Sequence, residues 1–266
     1  SFVPAESAND DGNLTVSSNF YSTSLDLDGG AKSDSELIDR YRDMSINPEV
    51  EIAIDDIVSE AMRIMQKKRI RDEIPDTIIL VEHPEIVTIG PKAIRDGVTV
   101  TDDYSQSIVD RGGGITWHGP GQLVLYPIIK WDSNEQSIKG IISKMEQLVI
   151  KTLEDLNIIG YRDPAMMGVW VDEKKICSIG LAFLHWVSRH GLALNYATPG
   201  DRIESLFCCG LEKGTTTSLD KLGHIHDEEG KIIDRERLEI ALISNIESVL
   251  GRIPQKPLDW SVENGL

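Results

Sequence analysis

The stretch Arg111-Gly-Gly-Gly-Ile-Thr-Trp-His-Gly-Pro-Gly-Gln122 constrains this chain more than any other. Surface turns seldom concentrate five glycines and a proline in so short a span, and strands seldom tolerate them. Three consecutive glycines let the main chain approach a ligand closely and adopt φ > 0 conformations closed to other residues. The apolar run Leu123-Val-Leu-Tyr-Pro-Ile-Ile129 follows at once. Two readings stay open from these residues: a glycine-rich hairpin without a ligand, or a binding loop with Arg111 and His118 as its polar reach. The run lacks the Gly-Lys-Ser/Thr ending of a phosphate loop and the GxGxxG spacing of a dinucleotide site, so phosphate cradling is not indicated.

Hydrophobic residues make up 40% of the 266, enough for a sizeable core in one large domain or two small ones. The formal charge of −17 argues against nucleic acid as the main partner. No apolar run approaches the roughly 20 residues of a membrane span. The three cysteines, Cys177, Cys208 and Cys209, form no disulfide framework, which points to free thiols in a reducing compartment. Cysteine and histidine occur at no ligand spacing, so no structural zinc is expected.

Residues 1–46 are rich in Ser, Asn, Asp and Gly without apolar period, and read as an acidic, poorly ordered extension. A catalytic domain is expected over 47–254 and a tail over 255–266. Asn47-Pro48 is expected to open a helix whose buried stripe is Ile54, Ile57, Val58, Ala61, Met62 and Met65. Lys67, Lys68, Arg69 and Arg71 close it, where positive charge suits the helix dipole. Strands are expected at Thr77–Glu82, Ile86–Ile89, Ser107–Asp110 and Gln122–Ile129, the last carrying Pro127 at an edge or a bulge. A long amphipathic helix starts at Asp132 or Ser133, with Ile138, Ile141, Ile142, Met145, Leu148, Val149, Thr152, Leu153 and Leu156 along one face. A hairpin follows, Gly168–Asp172 to Lys175–Leu184 through Glu173-Lys174, and then a strand Ser188–Asn195. Asp234 caps a last helix with Leu238, Ala241, Leu242, Ile246, Val249 and Leu250 inside. The order predicts an α+β (α/β) domain with a mixed, largely antiparallel sheet flanked by helices.

Cys209 precedes Gly210 after a loop, where a thiol has room to be approached, yet a free cysteine is more often a buried structural residue. Cys177 sits mid-strand among apolar neighbours and reads as core. Lys175 at a strand start is ordinarily a solvated charge. Drawn into an apolar pocket, it would have a lowered pKa and could act as a base.

Several stretches together resemble the lipoyl(octanoyl) transferases: Glu82-His-Pro84, Arg111–Gln122, Gly168-Val-Trp-Val-Asp-Glu-Lys-Lys-Ile-Cys-Ser-Ile-Gly180, His190-Gly-Leu-Ala-Leu-Asn195 and Cys209-Gly210. They occur in that family's order, over about residues 50–250. The resemblance implies the fold of the biotin and lipoate protein ligases. It also implies transfer of an octanoyl group from octanoyl-acyl carrier protein, through a cysteine thioester, to a lysine of lipoyl domains in 2-oxo acid dehydrogenase and glycine cleavage proteins. Cys209 matches the acyl-accepting cysteine and Lys175 the catalytic lysine. Arg111, Gly112, Gly113, Gly114, Ile115, Thr116, Trp117 and His118 match segments lining the acyl pocket. So do Ser178, Ile179 and Gly180, and Gly191, Leu192 and Ala193. Trp117 stands where many members carry tyrosine or phenylalanine, a change that could reshape the pocket wall.

No cofactor is implied, because thioester-to-thioester exchange is close to isoenergetic. The expectation is a monomer in the cytoplasm, or in an organelle after loss of a transit peptide, with no membrane or nucleic-acid partner. The rivals are an ATP-dependent lipoate or biotin ligase on the same fold and a non-catalytic relative that binds carrier domains. Since carrier proteins are generally acidic and so is this chain, Lys67, Lys68, Arg69 and Arg71 are the expected docking patch.

Overall fold

The computed structural model describes residues 13–18, 51–101, 103–164, 166–206, 212–255 and 258–259. Its larger sheet runs β10-β1-β2-β6-β9-β8-β7. These strands are β1 (Asn13–Ser18), β2 (Asp76–Val81), β6 (Gln122–Ile128), β7 (Val169–Val171), β8 (Lys174–Leu184), β9 (Val187–Asn195) and β10 (Ile253–Pro254), and β11 (Leu258–Asp259) lies beside β1. The pairs β2–β6, β6–β9, β9–β8 and β8–β7 are antiparallel and β1–β2 is parallel, so the sheet is mixed and largely antiparallel. A smaller sheet holds β4 (Gln106–Ile108), β3 (Ile86–Ile89) and β5 (Ile115–His118) in that order. The helices are α1 (Glu51–Ile70), α2 (Pro91–Arg95), α3 (Ile138–Glu154) and α4 (Arg235–Leu250). The strand Asn13–Ser18 lies within the stretch read as a poorly ordered extension. The expected opening at Asn47-Pro48 lies outside the described residues.

Every residue of β2, β6 and β9 is buried, as strands covered on both faces must be. Alternate side chains serve different layers. Ile78, Leu80, Leu123, Leu125, Leu192 and Leu194 join the main core beneath α3 and α4, with Met145, Leu148, Leu238 and Leu242. Ile79, Val81, Val124, Tyr126 and Ala193 face the other way and meet Val58 and Met62 of α1. A third cluster, including Val87, Ile115, Trp117, Ile203 and Leu206, fills the small sheet.

Several boundaries differ from the sequence reading for local reasons. α3 begins after Ser137, whose hydroxyl accepts from Gly140 N at 3.1 Å, and not at Asp132 or Ser133. Ile138, the first residue inside that cap, is therefore exposed. The β7–β8 turn is Asp172-Glu173, both with positive φ, one residue earlier than expected. Pro127 lies on a central strand: the β6–β9 ladder pauses between the pairs Leu125–Leu192 and Lys130–Val187, and the missing proline N–H falls in that gap. Asp234 does cap α4, accepting from Arg237 N at 3.0 Å.

Candidate active site

Strict alternation along β8 would put Lys175 on the same face as Cys177 and Ile179, in the main core. A β-bulge prevents this. Trp170 pairs with Lys175 but Val169 pairs with Cys177, so β8 holds one extra residue, Ile176, against β7. Ile176 and Cys177 are both consumed by the main core. Lys175 is thereby re-aimed onto the face of Ser178 and Gly180, the use bulges often have beside functional sites. It is 3% exposed, where a solvated strand-end lysine was the ordinary expectation. Its stem lies against Gly168, where a Cβ would come within 2.7 Å of Lys175 Cε and overlap the Cys177 carbonyl. Burial pushes the Cys177 thiol up to about 12, although nearby Lys175 pulls it down, so Cys177 is inert core.

The glycine loop enters from the small sheet. Arg111 does not reach outward for a ligand: Nη1 donates to Gly114 O (3.0 Å) and Gly112 O (3.2 Å), and Nη2 donates to Thr88 O (3.0 Å) and Thr88 Oγ1 (2.7 Å). It braces the loop from within. Gly112 N donates to Leu181 O at 3.0 Å and docks the loop on β8. The contact needs Gly180, where a Cβ would stand 2.7 Å from Gly112 O.

His118 is held on both sides. Asn195 Nδ2 donates to Thr217 O at 3.0 Å, which leaves its Oδ1 to accept from Gln122 Nε2 at 2.8 Å. Gln122 Nε2 also donates to Trp117 O, so Gln122 Oε1 is the acceptor for His118 Nδ1–H at 2.8 Å. The neutral imidazole then keeps its lone pair on Nε2, 3.2 Å from the Thr88 hydroxyl. Burial holds His118 well below the usual histidine range, helped by His83 and Arg111 nearby. Burial likewise pushes His83 and His190 down to about 4. His83 bonds Tyr126 Oη at 2.7 Å. His190 Nε2 lies 3.0 Å from Asp110 Oδ1, and the Arg189 guanidinium holds Asp110 well below the carboxylate range.

Between loop, large sheet and α1 lies a cleft that is partly open to solvent. Its wall brings together Lys175, Arg111, Gly112, Gly113, Thr116, His118, Ser178, Ile179, Gly180, Gly191, Leu192 and Ala193. Three of the residues expected to line the acyl pocket stand elsewhere. Ile115 and Trp117 alternate to the far side of β5 and fill the small-sheet core, where Trp117 Nε1 donates to Glu85 at 2.9 Å. Trp117 therefore does not shape the pocket wall. Gly114 spends its carbonyl on Arg111 and on Gly90 N.

Sequence reasoning missed Ser59, Met62, Thr88, Val109, Val124 and Tyr126, which also line the cleft. Only a layer-by-layer assignment of faces would have found Val124 and Tyr126. Nothing local signals Ser59 or Thr88. No acidic side chain is among the cleft's described lining. Among the described residues no cluster of His, Cys, Asp and Glu could hold a metal, and no helix is long and apolar enough to cross a membrane.

Cys208 and Cys209 lie outside the described residues, but both ends of their segment are anchored. Gly214 N donates to Glu204 O at 2.9 Å, closing the loop at its neck. Arg202 forms a bidentate pair with Glu85, both contacts at 2.7 Å. Lys175 N donates to Thr215 O and Thr217 N to Lys175 O, so the returning chain pairs with the lysine itself. At the basic end of α1, Arg69 pairs with Asp72 and Asp76, and Arg71 with Glu73.

Residues 55–236 match the lipoyl protein ligase A/B catalytic domain. The chain belongs to this family. It is 38% identical to an octanoyltransferase of Syntrophobacter fumaroxidans over 59% of this chain and 72% of that protein. It is 36% identical to an octanoyltransferase of Rubrobacter xylanophilus over 72% and 87%. Within the family it is thus an enzyme of the octanoyltransferase kind, an acyltransferase. The fold is that of a putative lipoate protein ligase of T. acidophilum with bound lipoic acid (TM-score 0.54, 14% identity, 76% of this chain and 86% of that one). It is equally that of a lipoate-protein ligase A bound with ATP (TM-score 0.55, 14% identity, 76% and 85%).

Proposed function

We propose that the chain moves an octanoyl group from octanoyl-acyl carrier protein to the lysine amine of a lipoyl domain, with Cys209 as the transient acyl carrier. The observation that carries this reading is Lys175: a lysine buried by a bulge in a cleft whose described lining holds no carboxylate, hydrogen-bonded through its backbone to the chain returning from Cys209.

The proton inventory balances with these groups alone. Cys209 passes its proton to the Lys175 amine, and the thiolate attacks the donor thioester carbonyl. Collapse forms the Cys209 thioester and breaks the bond to the carrier thiol, which leaves with the proton from Lys175. The acceptor amine then attacks the Cys209 thioester, and Lys175, neutral again, takes its proton. The C–S bond breaks and returns a thiolate beside an ammonium. Backbone N–H groups around the glycine loop are suited to steady the oxyanion, as such donors do in acyl transfer. The lysine position on the acceptor, and 2-oxo acid dehydrogenase and glycine cleavage proteins as its bearers, follow from the family resemblance.

Incubation with octanoyl-acyl carrier protein, followed by intact-protein mass spectrometry, tests the reading. One octanoyl adduct is expected on the native chain and on Cys208→Ser, and none on Cys209→Ser. An adduct that survives Cys209→Ser and vanishes with Cys208→Ser reassigns the nucleophile. Activity only with ATP and free octanoate makes the chain a ligase.

A further inference from the structure

The far end of the cleft is built differently from the Lys175 end. Ser178, Ala193 and Val124 stand in one row across β8, β9 and β6. Gly191 precedes Ala193 by two residues on the same face, and Tyr126 follows Val124 by two. Along this row the side chains are small and the floor is low. At the β6 end it meets α1, which closes the cleft with Ser59 and Met62. Met62 is 2% exposed and sits in one cluster with Val58, Val124, Tyr126 and Ala193. Tyr126 turns its hydroxyl aside to His83.

From these positions we infer that Met62 and Ser59 are the residues that set acyl chain length. The inference rests on the reading that Cys209 carries an acyl group beside Lys175. β8 and β6 lie two strand spacings apart, roughly 10 Å at about 4.8 Å each. An extended eight-carbon chain measures about 9 Å, taking about 1.5 Å bonds at tetrahedral angles. A carbonyl held at the Lys175 end therefore sends the methyl terminus along the Ser178–Ala193–Val124 row to α1. There Met62 is the stop. Its unbranched thioether conforms to a chain end but leaves no room for further methylenes. Ser59, one helical turn earlier on the same face, lies beside it. Neither residue belongs to the motifs that mark the site in the sequence, because neither touches the reacting atoms.

The test uses pantetheine thioesters of four to twelve carbons, which bypass carrier-protein docking, and reads the rate of Cys209 acylation by intact mass. Met62→Ala should move the optimum to longer chains, raising the ratio of the twelve- to the eight-carbon rate by about tenfold or more. Ser59→Leu should move it to shorter chains by a similar factor. Ser59→Leu carries the test if Met62→Ala does not fold. Unchanged ratios in folded variants, with the native chain acylated normally, overturn the inference. No adduct on the native chain with any thioester overturns instead the reading on which the inference rests, and the inference with it.

Discussion

The two faces of the large sheet are made from alternate residues of the same strands, yet they differ in kind. Toward α3 and α4 the inward side chains are leucine, isoleucine and valine, closed over by Met145, Leu148, Leu238 and Leu242. Toward α1 and the glycine loop the same strands present Gly180, Gly191, Ala193, Ser178 and a buried lysine. One face fills its volume and the other leaves a cleft. Beside that cleft a hydrogen-bond relay runs from Thr217 through Asn195, Gln122 and His118 to Thr88 and Arg111. The packed core and the cleft thus lie on opposite sides of one sheet, and the bulge at Ile176 moves Lys175 from one to the other.

If the faces are separable, damage should be separable too. Leu148→Ala, deep in the α3 face, should cost about 2–5 kcal/mol in urea unfolding while leaving turnover per folded molecule unchanged. Acid should strike the other face next. His83 and His190 are held near 4 against 6.5 when unfolded, so the unfolded chain binds more protons and stability falls as pH drops from about 6.5 toward 4. A loss of a few kcal/mol by pH 5 is expected in unfolding curves, with full stability regained above pH 7. Flat stability across that window would contradict neutral burial of these rings. Gly180→Ala should cost about 1–3 kcal/mol and slow transfer disproportionately, because the new methyl pushes Gly112 and the loop off β8. Smallest of all, Arg71→Ala should change stability by no more than about 0.5 kcal/mol, since its pair with Glu73 is exposed.

Much of this arrangement is legible in the sequence where local pattern decides it. The stripe Ile141, Met145, Leu148, Val149 and Leu153 reports α3 directly, and the Asp234 cap reports α4. The glycine loop announces close backbone approach. What it does not announce is direction. Arg111 beside three glycines looks like a ligand hand, and only the fold shows four carbonyl and hydroxyl oxygens waiting for its guanidinium. Ile115 and Trp117 share a motif with Thr116 and His118, but a strand sends alternate residues to opposite sides. The inward turn of Lys175 depends on one extra residue against β7, a property of two strands and not of either alone. Ser59 and Met62 enter the cleft from a helix that precedes the glycine loop in the chain, where helical periodicity marks Met62 as ordinary core and nothing marks Ser59.

The proposed chemistry makes Lys175 the proton carrier for Cys209. The direct measurement is single-turnover acylation and transfer by Lys175→Met, with unfolding of the same protein in urea. The methionine keeps the stem against Gly168 and removes the buried amine, so stability should hold or rise, while both half-reactions slow by about 10²–10⁴-fold. A Lys175→Met protein that folds normally and transfers octanoyl groups at the native rate would contradict it.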